Sequence, residues 1–476
     1  MISDPTFVVL SIITSYLIIT LILGIYGYKF SKKSVTDYFL ADRKIGTFVL
    51  FFTLASTNFS AFTFLGFSGS AYNMGYSFYG LMAFGTSFFA LSFYLVGKRV
   101  RELGALKGYI TPPELVGKET GSYGLRLLFL TVLVIFTLPY LAIQPMSAGF
   151  VLSTLTGGTI PYFWGAVFLT AFIIIYVFLG GMRSIAWTDV LQGVMVVFFL
   201  FIAVLVVSRA QGGIVEAHSQ ARAVDHTLFT REGSVSVRIW FSYGILWSFC
   251  NPMFPQIFQR FFMAKDEKGL KRSMFVFPLL VSILFLFPVM IGVIGRGAIP
   301  GLSATEADSI LPLLLQRYSP IWLSALIMSG GFAAFMSTAD SQLLTLSSMF
   351  TRDVVDPLGS FSEKSDYRIG HLMVVLLALV GLALAYDPPT TILAIVTWAF
   401  TGLAILYPVT IGVLYFDVDS KACIISIVSG LMALIAYHYQ LLPSFGFLPA
   451  IPIVFLSASV LFLSNHLVKN LLSKKS

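Results

Sequence analysis

Thirteen apolar runs, each long enough to cross a lipid bilayer, lie along the chain at about 6–27, 46–71, 78–97, 125–152, 162–181, 187–208, 239–262, 273–296, 320–351, 369–386, 390–415, 422–440 and 449–466. A bilayer core about 30 Å thick needs about 20 apolar residues per helix, so a chain of 476 residues has room for little else. Only 11% of the residues are charged, against about 25% in an ordinary soluble domain. A soluble fold is thereby excluded. The expectation is an all-α polytopic membrane protein with about 13 transmembrane helices, a single transmembrane domain over 1–476.

The formal net charge of +8 invites a nucleic-acid reading, but in a membrane protein the placement of Lys and Arg matters more than their sum. No basic region precedes the first run, and Lys29, Lys32 and Lys33 follow it. That is the wrong polarity for a cleaved signal peptide. With the N-terminus outside, alternate loops collect 24 of the 30 Lys and Arg on the cytoplasmic side, and Arg209, Arg222, Arg231, Arg238, Arg296 and Arg317 are left outside. The bias predicts a multi-pass protein of the plasma membrane, N-terminus outside and C-terminus cytoplasmic. It also predicts that no Lys or Arg lies deep in the bilayer.

Two acids fall away from loops: Asp189, where the sixth run begins, and Asp340, within the ninth. An intramembrane carboxylate is costly unless it meets a partner, an ion or water, so each marks a candidate functional site. Two runs are also poor helices. The second is dense in small polar groups from Thr53 to Thr63, and the seventh contains Asn251-Pro252-Met253-Phe254-Pro255. Proline removes a backbone donor and crowds the preceding turn, and irregular backbone at membrane depth survives only where it is buried or lines a cavity. The two interruptions are five runs apart. That spacing predicts two inverted five-helix repeats, at 46–208 and 239–415, each opening with a broken helix that brings solute and ion sites to the midplane. Residues 1–45 then form an extra helix and a cytoplasmic loop, and 416–476 two C-terminal helices.

Around Asp340 the sequence runs from Ser329 to Gln342 as Ser-Gly-Gly-Phe-Ala-Ala-Phe-Met-Ser-Thr-Ala-Asp-Ser-Gln. Residues three and four apart share a helix face, so Ala334, Ser337, Thr338 and Ser341 form one oxygen-bearing stripe. Such a stripe also suits close helix packing. Set beside two broken helices and two intramembrane acids, it points to a hard monovalent cation, with sodium the natural candidate and no His or Cys to favour a transition metal.

These residues resemble the sodium:solute symporter family over nearly the whole chain. Tyr176-Val177-Phe178-Leu179-Gly180-Gly181-Met182-Arg183-Ser184, followed by Trp187-Thr188-Asp189-Val190-Leu191-Gln192, resembles its glycine-pair signature. The run at 333–338 with Gln342-Leu343-Leu344 resembles its sodium helix, and Phe254-Pro255-Gln256-Ile257-Phe258-Gln259-Arg260-Phe261 the end of its second broken helix. The resemblance implies a leucine-transporter-type core of inverted five-helix repeats. It implies a coupling sodium held by the carbonyls of Ser56, Phe59 and Ala334 and the hydroxyls of Ser337 and Thr338. A second ion in some relatives uses the acid at the Asp189 position with hydroxyls near 337, 340 and 341. Here Asp340 replaces a hydroxyl, which puts a second sodium or a proton in play among Asp189, Asp340 and Ser341. Substrate-facing positions correspond to Ser60, Tyr140, Gln144, Trp247, Asn251 and Pro255.

The run Leu138-Pro139-Tyr140-Leu141-Ala142-Ile143-Gln144 is similar to monocarboxylate-type members. The expectation is a sodium-coupled symporter importing a small organic solute, a monocarboxylate or pantothenate-like acid. The alternatives are a proline-type amino acid, or proton coupling through Asp340 and Asp189. With no buried Arg or Lys in sight, a half-helix N-terminus or the sodium would have to meet a solute carboxylate. Partners are the solute, sodium and the lipid bilayer, with no nucleic acid and no obligate protein partner. No enzyme is expected: the two aspartates lack the surroundings of a protease dyad, and no GxxxxGK[ST], HExxH or GxSxG run occurs. The two cysteines make no CxxC pair and the five histidines read as solvated or interfacial. The segment at about 209–238 reads as a solvated external connector, and no signalling module is expected beyond Ser476.

Overall fold

The computed structural model describes residues 4–29, 35–231, 235–359 and 363–473, and within these it is helical, with one isolated bridge between Ile45 and Ala264. The first helix, α1 (Pro5–Tyr28), starts on a side-chain cap, Asp4 accepting from the backbone N–H of Thr6 at 2.9 Å, with Pro5 in the first turn, where its missing N–H costs nothing. Next come α2 (Thr47–Asn58), α3 (Phe67–Met74), α4 (Ser77–Lys107), α5 (Tyr123–Leu155) and α6 (Tyr162–Ala210). The second half of the chain carries α7 (Val237–Cys250), α8 (Pro255–Met263), α9 (Glu267–Ala298), α10 (Ile321–Met349), α11 (Glu363–Leu384), α12 (Ile392–Ala404), α13 (Leu406–Tyr415), α14 (Ser420–His438) and α15 (Ala450–Ser473).

Both expected interruptions are present. Helix α2 stops where Phe59 turns extended (φ −85°, ψ 94°), and the chain restarts as a helical segment, Phe62–Met74, inclined 62° to it. Short polar side chains that bond locally to backbone compete with the helix here: Ser60 Oγ accepts from the N–H of Phe62 at 3.1 Å and so caps the second half. In the seventh run, one 3-10 turn, Asn251–Met253, separates α7 from α8, with Pro252 and Pro255 each in a first turn.

Among the described residues nine helices are long and apolar enough to cross a membrane, and the bent pair Thr47–Asn58 with Phe62–Met74 makes up to ten. The runs expected at 162–181 and 369–386 are the shorter apolar helices Tyr162–Phe178 and Arg368–Leu384, and the run at 239–262 is split into α7 and α8. Length and composition therefore stop short of thirteen. The glycine pair is the corner inside α6, where Gly181 takes φ +63° and packs so closely that a Cβ would come within 2.7 Å of the Tyr38 ring. Only glycine fits such a corner without strain.

Helix α10 packs most extensively against α6 and is buried on all sides from Ile327 to Met349. An all-round buried helix is ordinarily apolar, yet this one carries Ser337, Thr338, Asp340, Ser341, Gln342 and Thr345.

The segment after α6 is not a solvated connector. It forms a helix, Ile214–Val224, whose Ala217 and Ala221 are fully buried, with Ala221 so close to α9 that a Cβ on Gly297 would lie 2.7 Å from its backbone nitrogen. A turn at His226–Phe229 follows, and its Leu228 carbonyl accepts from the N–H of Tyr76 at 2.9 Å. Mixed charge along 209–238 hides two small residues four apart that suffice for close packing. His218 bonds through Nε2 to the Tyr76 hydroxyl, and His371 is buried with Nε2 3.1 Å from the Phe178 carbonyl, so neither is simply solvated.

The turn before α10 carries a buried acid. Asp308, in the turn Glu306–Ser309, is buried against Gly69 of α3, and its Oδ2 accepts from the N–H of Ile392 at the start of α12 (2.8 Å). Burial pushes its carboxyl up to about 7 from 3.8, against the opposing pull of the Ile392 bond. A carboxyl raised on folding favours the folded state below the unfolded value, and that contribution is lost as pH rises to the folded value. Thermal unfolding of the detergent-solubilised protein is therefore expected to show stability falling from about pH 4 to about pH 7 through this residue. Asp308→Asn is expected to flatten that part of the profile, and an unchanged slope in the variant would contradict the assignment.

Candidate functional site

The break after α2 redirects hydrogen bonds that a continuous helix would keep. The N–H of Ala61 donates to Gln144 Oε1 on α5 (3.0 Å) instead of to Thr57, four residues back, and the Thr57 carbonyl accepts from the Thr338 hydroxyl of α10 (3.2 Å). The Ser337 hydroxyl reaches the Ser56 carbonyl at 3.0 Å and the Ala334 carbonyl at 3.1 Å. Of the sodium ligands expected from the sequence, Ser56, Ala334, Ser337 and Thr338 thus meet at one buried junction, and Phe59 sits fully buried at the C-cap of α2. Thr57 was not expected there. The junction is made of oxygens alone, as a hard cation requires, and it lies at the partially negative C-terminal end of α2.

One turn further along α10, Asp340 and Ser341 join a charge cluster that overturns two expectations. Asp189 does not begin its helix: it lies more than two turns inside Gly181–Ala210 and is fully buried. Arg260 is not in a cytoplasmic loop. It projects from α8 with 0% exposure and pairs with Asp189, Nη2 to Oδ2 at 2.9 Å. The same Nη2 donates to Ser341 Oγ (2.7 Å), Nε to Thr53 Oγ1 (2.8 Å) and Nη1 to the Gln256 carbonyl (3.0 Å). Thr53 also donates to Asp189, and Ser341 Oγ lies 3.0 Å from Thr57 Oγ1. A hydropathy window cannot see this. Arg260 falls at the end of an apolar run, where a cation ordinarily reaches water, and all its partners except Gln256 lie on other helices. The available signal is its helical phase, four residues after Gln256 and flanked by Phe258, Phe261 and Phe262.

The expected solute residues gather beside the two breaks. Tyr140 donates to Ser60 Oγ at 2.8 Å, and Gln144, anchored through Nε2 to the Tyr140 carbonyl, receives the Ala61 N–H. From the other broken helix, Trp247 is 1% exposed and Asn251 donates to the Trp247 carbonyl at 3.1 Å, while Pro255 opens α8. Trp247 Nε1 and Asn251 Oδ1 have no protein partner among the described residues. Three rings that sequence reasoning missed complete the enclosure. Phe400 of α12 lies edge-on to Trp247 (4.7 Å between centroids), Phe254 (4.6 Å) and Tyr140 (5.3 Å), with Phe254 5.1 Å from Tyr140 and Phe62 6.0 Å from Trp247. An aromatic cage holding a few fixed polar groups is the ordinary form of a small-solute site.

Two broken helices, an oxygen-only junction beside one of them and an aromatic cage between them define a secondary transporter of the leucine-transporter fold. Solved structures agree on the fold. A Na+-coupled sialic acid symporter in a substrate-bound outward-open state superposes with a TM-score of 0.80 over 96% of this chain and 98% of that one at 20% identity. MhsT in complex with L-phenylalanine gives 0.51 over 88% and 97% at 14% identity. Among curated proteins, the chain is 26% identical over 469 residues to a sodium/pantothenate symporter of Haemophilus influenzae (96% of each chain). It is 25% identical over 477 residues to a sodium/proline symporter of Staphylococcus aureus (96% of this chain, 92% of that one). The sequence model of the sodium:solute symporter family matches residues 38–428, and the chain belongs to that family. It is a multi-pass membrane protein that couples sodium to symport of a small organic solute, a transporter and not an enzyme.

Proposed function

We propose that this symporter imports a small organic acid, a monocarboxylate or pantothenate-like solute, with sodium bound by the carbonyls of Ser56, Phe59 and Ala334 and the hydroxyls of Ser337 and Thr338. The observation that carries this reading is the Ser337 hydroxyl lying 3.0 Å from the Ser56 carbonyl across the break. Sodium entering that junction would replace hydrogen bonds with ion contacts and tie α2 to α10, favouring the outward-open state. The solute then takes its place among Ser60, Tyr140, Gln144, Trp247, Asn251 and Pro255. An anionic group suits this cage because the outer half of the broken helix presents its N-terminus there, and the partial positive charge of such an end favours an anion. The N–H groups of Ala61 and Phe62 now donate to Gln144 and Ser60. A carboxylate would accept in their place. The pantothenate relative supports an acid, and the proline relative keeps an amino acid as the second reading.

In this scheme repeats 46–208 and 239–415 supply the moving parts, and the first four helices of each rock about the site. Residues 1–45 and 416–476 flank them in one domain. The protein sits in the plasma membrane as a self-sufficient chain, N-terminus outside and C-terminus cytoplasmic, as the distribution of Lys and Arg supports. A second cation, sodium or proton, belongs to Asp189, Asp340 and Ser341. Coupling requires that sodium and solute each bind better in the other's presence, by the same factor.

The test is uptake of labelled pyruvate, lactate, acetate, pantothenate and proline into proteoliposomes under an inward sodium gradient, a proton gradient or neither. Sodium-driven uptake of an acid is expected, and proline uptake instead would select the second reading. Uptake indifferent to both gradients would sink the coupled mechanism. For the transported member, Trp247→Ala is expected to raise KM by about tenfold or more, because burying an aromatic of this size contributes about 1.5–3 kcal/mol and about 1.4 kcal/mol is a factor of ten. An unchanged KM in that variant would remove Trp247 from the site.

A further inference from the structure

Helices α4 and α9 run antiparallel and part at one end. The Tyr79 hydroxyl donates to the Ser282 carbonyl at 2.9 Å toward one end of the pair, and Tyr94 donates to Glu267 Oε1 at 2.9 Å toward the other. Near that second end the two helices leave a partly open crevice of about 340 Å3. Its walls follow the helical period: Ala90, Leu91 and Tyr94 on α4, and Lys271 with Met274, Phe275 and Pro278, three, four and seven residues on, along α9. Leu91 and Phe275 are 63% and 72% exposed, so the crevice opens on the side that faces lipid. Ala90 carries the smallest side chain in the lining, and a space of this kind in a bilayer is filled by a hydrocarbon chain or not at all.

The head of the crevice is cationic. Lys271 lines it, and Lys268 and Arg272 flank Lys271 on the first turns of α9; all three are exposed and pair with no acid among the described residues. The nearby acids are already engaged. Glu267 Oε1 lies 3.1 Å from Lys98 Nζ and receives the Tyr94 hydroxyl, and Asp266 Oδ1 accepts from the N–H of Gly269 at 2.6 Å. An apolar slot headed by unpaired cations is complementary to a lipid whose headgroup carries net negative charge. A soluble anion has no use for the slot, and a zwitterionic lipid brings its own cation to oppose Lys271. Basic pockets between membrane helices recognise anionic headgroups in this way.

We propose that the α4–α9 crevice binds one anionic phospholipid, an acyl chain lying along Ala90, Leu91, Met274 and Phe275 and the headgroup phosphate sitting among Lys268, Lys271 and Arg272. The lipid braces α4 against α9, and these are the helices on which α7 and α3, one part of each broken run, are packed. The distribution of Lys and Arg that supports a cytoplasmic C-terminus also puts this end in the cytoplasmic leaflet, where anionic lipids give the surface its negative potential. The site itself does not depend on that orientation.

The full chain in nanodiscs of equal phosphatidylcholine and phosphatidylglycerol tests it without knowledge of the solute. Native mass spectrometry counts the lipids each chain retains, and thermal unfolding reads native folding. The wild type is expected to retain phosphatidylglycerol in preference to phosphatidylcholine. Lys271→Gln, at an exposed position, is expected to cut that preference about fivefold, the factor corresponding to about 1 kcal/mol for one cation near an anionic headgroup. Ala90→Trp fills the crevice and leaves every charge in place, and it is expected to retain one phosphatidylglycerol fewer; Ala90→Leu takes its place if the larger ring prevents folding. Glycerol 3-phosphate is expected not to displace the lipid. Equal retention of the two lipids by the wild type would overturn the proposal, as would retention unchanged in the Lys271 variant or in the folded Ala90 variant. Displacement by glycerol 3-phosphate would reduce the site to a phosphate contact and overturn it too.

Discussion

Ser337→Ala/Thr338→Ala is expected to abolish sodium-driven uptake and to weaken sodium-22 binding by about a hundredfold or more. The two hydroxyls are two of the three oxygens that α10 brings to the junction with α2, reaching the Ser56 and Thr57 carbonyls at 3.0 and 3.2 Å, and the Ala334 carbonyl is the third. A hydrogen bond to a charged group contributes about 1.5–3 kcal/mol, and taking each lost contact to the ion as of that order, two sum to about 3–6 kcal/mol, or two to four decades. The fold is expected to survive. Both side chains are small, and alanine at these positions keeps the close approach of α10 to α2. Sodium-22 binding to the purified variant separates the two effects. Wild-type sodium affinity in the double variant would take the coupling ion away from this junction and leave the 3.0 Å contact as simple helix packing.

The breaks and the oxygen-lined junction between α2 and α10 were legible in the sequence because their chemistry is local. Ser56 to Ser60 cannot easily continue a helix, Pro252 and Pro255 interrupt the next, and Ser337 with Thr338 carries its own spacing. What the sequence hid was set across helices. Phe400 closes the cage from α12, more than 140 residues in sequence from Trp247, and nothing in the neighbouring Thr397 or Thr401 announces that its ring will meet Trp247, Tyr140 and Phe254. Thr57 enters the junction because its Ala61 partner is diverted to Gln144, an event of the break's geometry rather than of composition. Arg260 is the largest such case. The side on which a loop collects cations is a statistical property of loops, whereas this arginine sits in the last two turns of α8 and turns inward toward Asp189.

The two placements of Arg260 predict different energies. A solvated arginine at the membrane edge is dispensable, since exposed ion pairs contribute about 0–1 kcal/mol. A buried one is not: removing one partner of a buried pair typically costs about 3–5 kcal/mol, because it strands the opposite charge. Arg260→Met is therefore expected to destabilise the protein by about that amount in thermal or denaturant unfolding, with Asp189 left without its counter-charge. Asp189→Asn/Arg260→Met is expected to recover more than half of the loss, which a double-mutant cycle reads as coupling between the two sites. Arg260→Lys is expected to rescue poorly. An ammonium on a flexible stem cannot reproduce the guanidinium fork, which here spans Thr53 of α2, Asp189 of α6 and Ser341 of α10. That bridge links stability to transport. Thr53 lies one turn before Ser56, and Ser341 one turn after Ser337, so Arg260 ties together the two helices whose carbonyls and hydroxyls form the proposed sodium seat. The single variant is accordingly expected to bind sodium more weakly even at temperatures where it stays folded. Loss of stability under about 1 kcal/mol, with sodium affinity unchanged, would return Arg260 to the solvated edge.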